Sequence, residues 1–409
     1  MNCLKLSAVN KEISILAFTL AAVMLCAGSF GGGCSRAPED PAWFQSTTTG
    51  EALPADQLRL AINRTESVFD LQRMKREYIL RGGVDRAVIA ELDRRREEIL
   101  TEQPELGSPG PKVDLLAFDY LRVGPGRYRA EYLFRARQPL PADLRISIYG
   151  GVLPEDIDSL SPAMREAGRR SEVWAHRPVP SADQWEVGEY IYISHHLQGA
   201  DIPYSIALKL YQDEAPGSED WDWVYLGWRR GDSGSSLLDR INRAVDIFEL
   251  YRLEGDCWSC PIAQEAFEKR SARLLEKITA PGKISEEAEL RAFDYRKIGE
   301  NRYRVDYLFC LARPLEYDCA IYLYGKVDEA HLDLLSEARR RDTEVWGFHP
   351  FPRTHHWPAG RCVLISHGID AQPIPYNMST SFWDPGNRRR HGERISLGWR
   401  ADPGHRDPE

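Results

Sequence analysis

The stretch AFDYLRVGPGRYRAEYLFRARQPLPADLRISIYG at residues 117–150 decides the architecture of this chain. It occurs again at residues 292–325 as AFDYRKIGENRYRVDYLFCLARPLEYDCAIYLYG. The two copies align without a gap, and about half of their positions are identical. Self-similarity over such a length indicates that one structural unit is present twice.

The repeat extends on both sides of this stretch. Upstream, Ile62-Asn63-Arg64 recurs as Ile241-Asn242-Arg243 within segments of helical periodicity. These segments are interrupted at Gly82-Gly83 and at Gly255 to Pro261, which predicts a helical hairpin in each unit. Downstream, short aromatic and β-branched segments separated by Gly and Pro predict an antiparallel β-sandwich.

We therefore predict an α+β fold of two tandem units, each a helical hairpin followed by an antiparallel β-sandwich. A chain of 409 residues is long enough for each unit to bury its own core. The predicted boundaries are a signal peptide at 1–33, a tether at 34–52, unit 1 at 53–230 (hairpin 54–100, sandwich 113–230), a linker at 231–236, unit 2 at 237–401 (hairpin 237–278, sandwich 288–401) and a tail at 402–409.

The composition is that of an ordinary globular protein, with 43% hydrophobic and 28% charged residues. The net charge of −9 argues against a nucleic-acid partner, because no excess of basic residues is available to displace the counterions of a phosphate backbone.

The N-terminus has the pattern of an export signal. Lys5 and Lys11 precede an apolar run over residues 13–27, and three glycines then precede Cys34. This resembles a bacterial lipoprotein signal, and the resemblance implies that Cys34 is lipidated and anchors the protein at the outer membrane or the periplasmic face. An ordinary signal peptide, giving a secreted or periplasmic protein, and an uncleaved anchor are the alternatives.

Both units share a further order of motifs: Pro-Leu, then a Trp followed by a Gly, then an alternating strand, then Pro-Tyr. This order is similar to that of jelly-roll-type sandwiches in exported carbohydrate-active and envelope proteins. The resemblance implies a β-sandwich and a glycan or an envelope protein as partner, and it carries over no catalytic residue.

The repeated aromatic and imidazole side chains are the candidate ligand-binding residues. Trp185 and Trp357 follow Pro-containing loops, so we expect them to be exposed and to stack on sugar rings, with burial in the core as the alternative. Ser194-His195 and Ser366-His367 do not form a catalytic pair, because neighbours on a strand point to opposite faces. The full set of candidates is Trp185, Trp357, Tyr204, Tyr376, His195 and His367.

Five cysteines lie in unit 2, so at least one thiol is unpaired in an oxidising compartment. Cys257 and Cys260 lie within the break of the second hairpin and predict a disulfide across that turn. Cys310 and Cys319 flank a strand turn and are a second possible pair. The histidines near Cys362 match no metal-site template, so we expect no metal and no cofactor.

Four carboxylate pairs are the acid–base groups present in both units: Asp119/Asp294, Glu131/Asp306, Asp143/Asp318 and Glu172/Glu344. Glycoside hydrolysis would need two of them facing each other across a cleft. The sequence favours a non-catalytic cell-envelope protein that binds a glycan or an envelope protein. The alternatives are a carbohydrate-active hydrolase and a structural scaffold, and buried Trp185 and Trp357 would favour the scaffold.

Overall fold

The structure is a computed structural model and describes residues 55–103, 106–212, 221–232, 234–258, 260–334, 342–350 and 353–400. The predicted signal peptide, the lipidation site Cys34, the tether and the tail lie outside these ranges. No helix in the described ranges is both long enough and apolar enough to cross a membrane.

Unit 1 begins with three helices: α1 (Ala55–Arg64), α2 (Val68–Leu80) and α3 (Arg86–Glu102). The predicted break at Gly82-Gly83 is confirmed, and Gly82 adopts a left-handed φ of 81° between α2 and α3. An additional break separates α1 from α2. Ser67 caps α2 there, since its hydroxyl accepts a hydrogen bond from the Asp70 N–H at 3.3 Å.

The strands of unit 1 are β1 (Val113–Gly124), β2 (Arg127–Ala136), β3 (Leu144–Gly151), β4 (Ser171–His176), β5 (Tyr190–Gln198), β6 (Tyr204–Gln212) and β7 (Trp223–Arg229). They form two antiparallel sheets with strand orders β1-β2-β5 and β4-β3-β6-β7. Between β3 and β4 the chain forms a 3₁₀ turn (Pro154–Ser159) and the short helix α4 (Pro162–Glu166).

The helices of unit 2 are α5 (Gly234–Arg243), α6 (Ile247–Tyr251), α7 (Glu254–Cys257) and α8 (Pro261–Leu275). Asp246 caps α6 at the position that Ser67 occupies before α2. Pro261 lies in the first turn of α8, where proline is favoured because the backbone N–H that it lacks would have no partner within the helix.

The strands of unit 2 are β8 (Gly282–Lys283), β9 (Ala288–Gly299), β10 (Arg302–Leu311), β11 (Ala320–Val327), β12 (Thr343–Phe348), β13 (Cys362–Asp370), β14 (Tyr376–Asp384) and β15 (Arg389–Arg400). Their sheets have the orders β13-β10-β9-β8 and β12-β11-β14-β15. Apart from the added β8, the strands pair as their counterparts do in unit 1.

Each unit has three layers: helices, a first sheet and a second sheet. The two sheets bury an aromatic core between them, which in unit 1 includes Tyr132 and Phe134. The opposite side of the first sheet receives the helices, where Leu133 contributes to the helical core. The predicted α+β class with antiparallel β-sandwiches is confirmed.

Candidate functional site

The carboxylate of Glu131 is buried beneath the helices of unit 1. Arg73 of α2 forms an ion pair with it, and the Nε atom of Arg129 lies 3.6 Å from its second oxygen. The Tyr192 hydroxyl donates a hydrogen bond to the same carboxylate. These contacts connect α2 to two neighbouring strands of the first sheet.

Unit 2 repeats this arrangement around Asp306. Arg252, at the position of Arg73, donates from Nη2 to Asp306 at 2.8 Å, and Arg304 donates from Nε at 3.0 Å. The Ser366 hydroxyl donates to the other oxygen of the carboxylate. In both units, therefore, this carboxylate is buried and joins the helical layer to the sheet.

Asp119 lies opposite Glu131 in the β1–β2 pair. Burial raises the pKa of Asp119 to about 6; the charge of Arg229, whose Nη1 is 3.8 Å away, opposes the rise, and the charge of Glu131 adds to it. The other repeated carboxylates also have partners within the fold: Asp294 with Arg296, Glu172 with Ser161, Glu344 with Tyr376, Asp143 with Gln212 and Asp318 with Arg353.

The expected exposure of Trp185 and Trp357 is wrong, since these side chains are only 4% and 2% exposed. Each indole stacks on a phenylalanine of the central strand, Phe134 or Phe309, with ring centres 5.6 Å apart. A 3₁₀ turn precedes each indole, Ala182–Gln184 in unit 1 and Thr354–His356 in unit 2. In unit 1 the indole N–H of Trp185 donates to the Pro180 carbonyl at 3.1 Å. Both indoles are core residues and leave no ring face for a sugar.

Tyr204 and Tyr376 are also fully buried. Each packs edge-on against a tryptophan, Trp174 or Trp346, at 5.4 Å between ring centres. Each phenol oxygen accepts a hydrogen bond from the backbone N–H four residues earlier, so its polar group is satisfied inside the unit. Tyr204 and Tyr376 are therefore core residues of the β-sandwich and are not accessible to a ligand.

His195 and His367 lie on the core side of their strands. His195 stacks on His176 at 4.2 Å between ring centres, and His367 stacks on Phe348 at 3.9 Å. Burial lowers the pKa of His195 to about 3 and that of His367 to about 4, so both rings are neutral near pH 7. Ser366 contacts Asp306 under the helices, and Ser and His thus point to opposite faces.

The predicted Cys257–Cys260 disulfide is wrong, as is the alternative Cys310–Cys319 pair. The disulfide joins Cys310 and Cys362, which lie directly opposite each other on β10 and β13. Cys257, Cys260 and Cys319 are free thiols. The Cys257 thiol instead points along its own helix and donates to the carbonyl four residues earlier at 3.2 Å.

No three His, Cys, Asp or Glu side chains in the described ranges come together as a possible metal site.

An aromatic surface that the sequence analysis did not single out lies on the outer sheet of unit 2. Tyr322 and Tyr324 of β11 alternate with fully buried residues, so their rings are on the solvent side. The ring centre of Tyr322 is 6.2 Å from that of Tyr324 and 5.9 Å from that of Trp383 on β14. The guanidinium carbon of Arg394 on β15 lies 3.6 Å from the centre of the Tyr324 ring. We call the rings of Tyr322, Tyr324 and Trp383 the outer aromatic row.

Unit 1 has a related surface on its own outer sheet. Tyr149, at the position of Tyr324, packs edge-on against Trp223 with ring centres 4.5 Å apart. The Lys209 ammonium lies 5.6 Å from the centre of the Trp223 ring. Both units thus combine half-buried aromatic rings with a cation on the solvent side of the second sheet. The period-two alternation within β3 and β11 is the sequence signal that points to these rings.

No family model matches this chain, and no curated protein matches it. Among solved structures, the partial N-terminal region of an enterococcal surface protein is similar at a TM-score of 0.20 and 6% identity, over 71% of this chain and 96% of that chain. The B domain of a biofilm-associated protein is similar at a TM-score of 0.18 and 7% identity, over 72% and 89%. Similarities at this level carry no argument about function.

Proposed function

We propose that this protein is a non-catalytic binding protein of the cell envelope that recognises a glycan or an envelope protein through the outer sheets of its two units. The observation that carries this proposal is the outer aromatic row. Three adjacent, half-buried rings on the solvent side of one sheet, with the Arg394 guanidinium over Tyr324, offer the kind of stacking surface that sugar rings and apolar protein side chains both use. Two such units in one chain would strengthen binding to a repeating ligand through avidity.

The position of the repeated acid–base groups supports a non-catalytic role. A glycosidase needs two carboxylates that flank a substrate. Here Glu131 and Asp306 are buried and bound to arginines, and the lowered pKa values of His195 and His367 keep both rings neutral near pH 7. The hydrolase alternative would require these groups to leave their partners.

A structural scaffold is the second candidate. The burial of Trp185 and Trp357 favours it. It is also favoured by large apolar side chains exposed on the helices and their turns, which suit contacts with a protein partner. These side chains are Leu60, Leu80, Val84, Val245 and Ile262.

A glycan array probed with the full chain tests the proposal. We expect the wild type to bind a defined set of glycans and a Tyr322→Ala/Trp383→Ala double variant to lose that set. The loss should be at least ~10-fold in affinity, because stacking of one aromatic ring contributes roughly 0.5–1.5 kcal/mol beyond the area it buries.

Trp399→Ala is the matched control, since Trp399 lies in the same sheet, is more exposed than the row and is not part of it. At a protein concentration at which the wild type is monomeric, the glycan profile of Trp399→Ala should equal that of the wild type. If the array is blank for the wild type, or if the double variant retains the wild-type profile, glycan binding by the outer aromatic row is wrong, and the scaffold remains.

A further inference from the structure

Both units end their last strand with the same four residues, Leu-Gly-Trp-Arg. We call residues 226–229 of β7 and 397–400 of β15 the LGWR motifs. The glycine is left-handed in both, with φ of 77° and 74°. The arginine is paired with the first residue of the neighbouring strand in each case. The two motifs therefore have the same backbone, and a difference between them comes from what covers them.

In unit 1 the LGWR motif is covered by unit 2. The indole N–H of Trp228 donates to the backbone carbonyl of Leu364 on β13 at 2.9 Å. The Arg229 guanidinium lies between two rings, 4.9 Å from the centre of Phe118 and 5.0 Å from that of Trp258, which follows α7. Trp228 and Arg229 are consequently buried. This motif is the docking surface between the two units.

Among the residues that the structure describes, none covers the LGWR motif of unit 2 in this way. Trp399 is 55% exposed, and Arg400 is exposed with one ring beside it, Phe293, at 5.6 Å. A Cβ atom placed on Gly398 would meet nothing within 4 Å in the part of the chain that the structure describes. The equivalent atom in unit 1 would lie 3.1 Å from the Trp258 ring. One motif is thus an occupied docking surface, and its copy is exposed within the described part of the chain.

The surface that covers the first motif also has a counterpart in unit 1. In unit 2, Asp256 of α7 accepts hydrogen bonds from the backbone N–H groups of Arg230 and Gly231, immediately after the motif, at 2.9 and 3.2 Å. Counted from Arg73 and Arg252, which hold the same carboxylate in the two units, Glu77 in the last turn of α2 stands at the position of Asp256. An acidic side chain is therefore present there in unit 1, where it accepts a hydrogen bond from Arg81 at 2.5 Å.

The apolar part of this covering surface is repeated as well. Ile79 stands at the position of Trp258, near the turn that joins α2 to α3. Beside it, Leu80 and Val84 are 44% and 78% exposed, although both are large apolar residues. The α2–α3 turn of unit 1 thus offers an apolar surface at the place where unit 2 uses Trp258 and α7 to bind unit 1.

We propose that a second copy of this chain docks there, with the free LGWR motif of one chain against the α2–α3 turn of the next. The contact would imitate the junction between units 1 and 2. Because it joins two different surfaces, the contact is heterologous, and it propagates from copy to copy as an open array or until a ring closes. This inference concerns a surface other than the outer aromatic row and does not depend on the ligand of that row.

The contact between chains is expected to be weaker than the junction within one chain. A Cβ atom on Gly255 of α7 would lie 2.6 Å from the Arg229 side chain and 2.7 Å from the Trp228 carbonyl oxygen, so the junction needs glycine. Unit 1 has Arg76 at that position. The bulkier residue keeps the second copy farther away, and we expect association to be reversible and dependent on concentration.

Sedimentation of the full chain in density-matched detergent tests this proposal. We expect the average mass of the wild type to rise with protein concentration beyond that of a dimer. Trp399→Asp, which blocks the motif, and Val84→Asp, which blocks the turn, should each remain monomeric. An equimolar mixture of these two variants retains one intact surface of each kind and should form a dimer that grows no further.

Val345→Asp is the matched control, because Val345 is similarly exposed at 52% but lies on β12, away from both surfaces. It should associate as the wild type does. A monomeric wild type at all concentrations, a Trp399→Asp variant that still assembles, or a mixture of the two blocked variants that stays monomeric would each overturn the proposal. Assembly by Val84→Asp alone would also overturn it, because the motif would then bind another surface.

Discussion

The imidazole of His367 makes the fold sensitive to acid. A histidine in the unfolded chain has a pKa of about 6.5, and burial lowers the pKa of His367 in the fold to about 4. Between these two pKa values the imidazole of the unfolded chain binds a proton, and that of the folded chain does not. The stability that depends on a neutral His367 is complete above pH ~6.5 and is lost as the pH falls toward 4.

The expected loss at pH 5 is on the order of 2 kcal/mol relative to pH 7. Urea unfolding at the two pH values measures it. A His367→Phe variant keeps an aromatic ring against Phe348 but has no group that titrates. Between pH 7 and pH 5 its free energy of unfolding should fall by ~2 kcal/mol less than that of the wild type. His349→Gln, at an exposed histidine, is the control. Equal pH dependence of His367→Phe and the wild type would show that the ring does not limit acid stability.

At the scale of secondary-structure elements, the helices are fastened to the first sheet by the same charged cluster in both units. Glu131 is fully buried between Arg73 and Arg129. Replacing it with the isosteric glutamine removes the negative charge that neutralises the two guanidinium groups. Breaking a buried pair in this way costs roughly 3–5 kcal/mol. We expect Glu131→Gln to lower the free energy of unfolding by that amount.

Chemical unfolding followed by far-ultraviolet circular dichroism measures this loss. The matched control is Glu289→Gln on β9, because the pair between Glu289 and Arg291 is about one third exposed on both sides and should contribute less than ~1 kcal/mol. If the two variants are equally stable, the cluster under the helices is not a source of stability.

Much of the element order follows from the sequence, because alternation and helical periodicity are local signals that occur twice. The burial of Trp185 and Trp357 could not be predicted from such local signals. It depends on the direction in which the chain leaves the 3₁₀ turn before each tryptophan and re-enters the sandwich. The α1–α2 break has a local signal in Ser67 and Asp70, a side-chain cap that the hydrophobic pattern does not reveal.

The disulfide could not be predicted for a related reason. Cys310 and Cys362 are separated by 52 residues, and only the register of β10 against β13 brings them opposite each other. Unit 1 has Arg135 and Tyr190 at these two positions, with the guanidinium 6.0 Å from the ring centre. The spacing of Cys257 and Cys260 suggested a local pair, whereas α7 directs the first thiol toward the helix.

For the whole molecule, the junction between the units determines whether they unfold together. Trp228 from unit 1 belongs to the same hydrophobic core as the helices of unit 2, and Arg304 of unit 2 forms an ion pair with Glu155 of unit 1. Two units that share a core in this way are expected to unfold in one transition, as neighbouring repeats do when their interface is strong.

Gly255→Ala tests this coupling. The added methyl group would clash with the Trp228 carbonyl oxygen, which no side-chain rotation can relieve, and overpacking of this kind costs roughly 1–3 kcal/mol. We expect calorimetry to show one transition for the wild type and two for Gly255→Ala. Gly299→Ala is the control, because its new Cβ atom would have only ordinary contacts, at 3.6 Å or more. A single transition in Gly255→Ala, as cooperative as that of the wild type, would mean that the units are joined elsewhere.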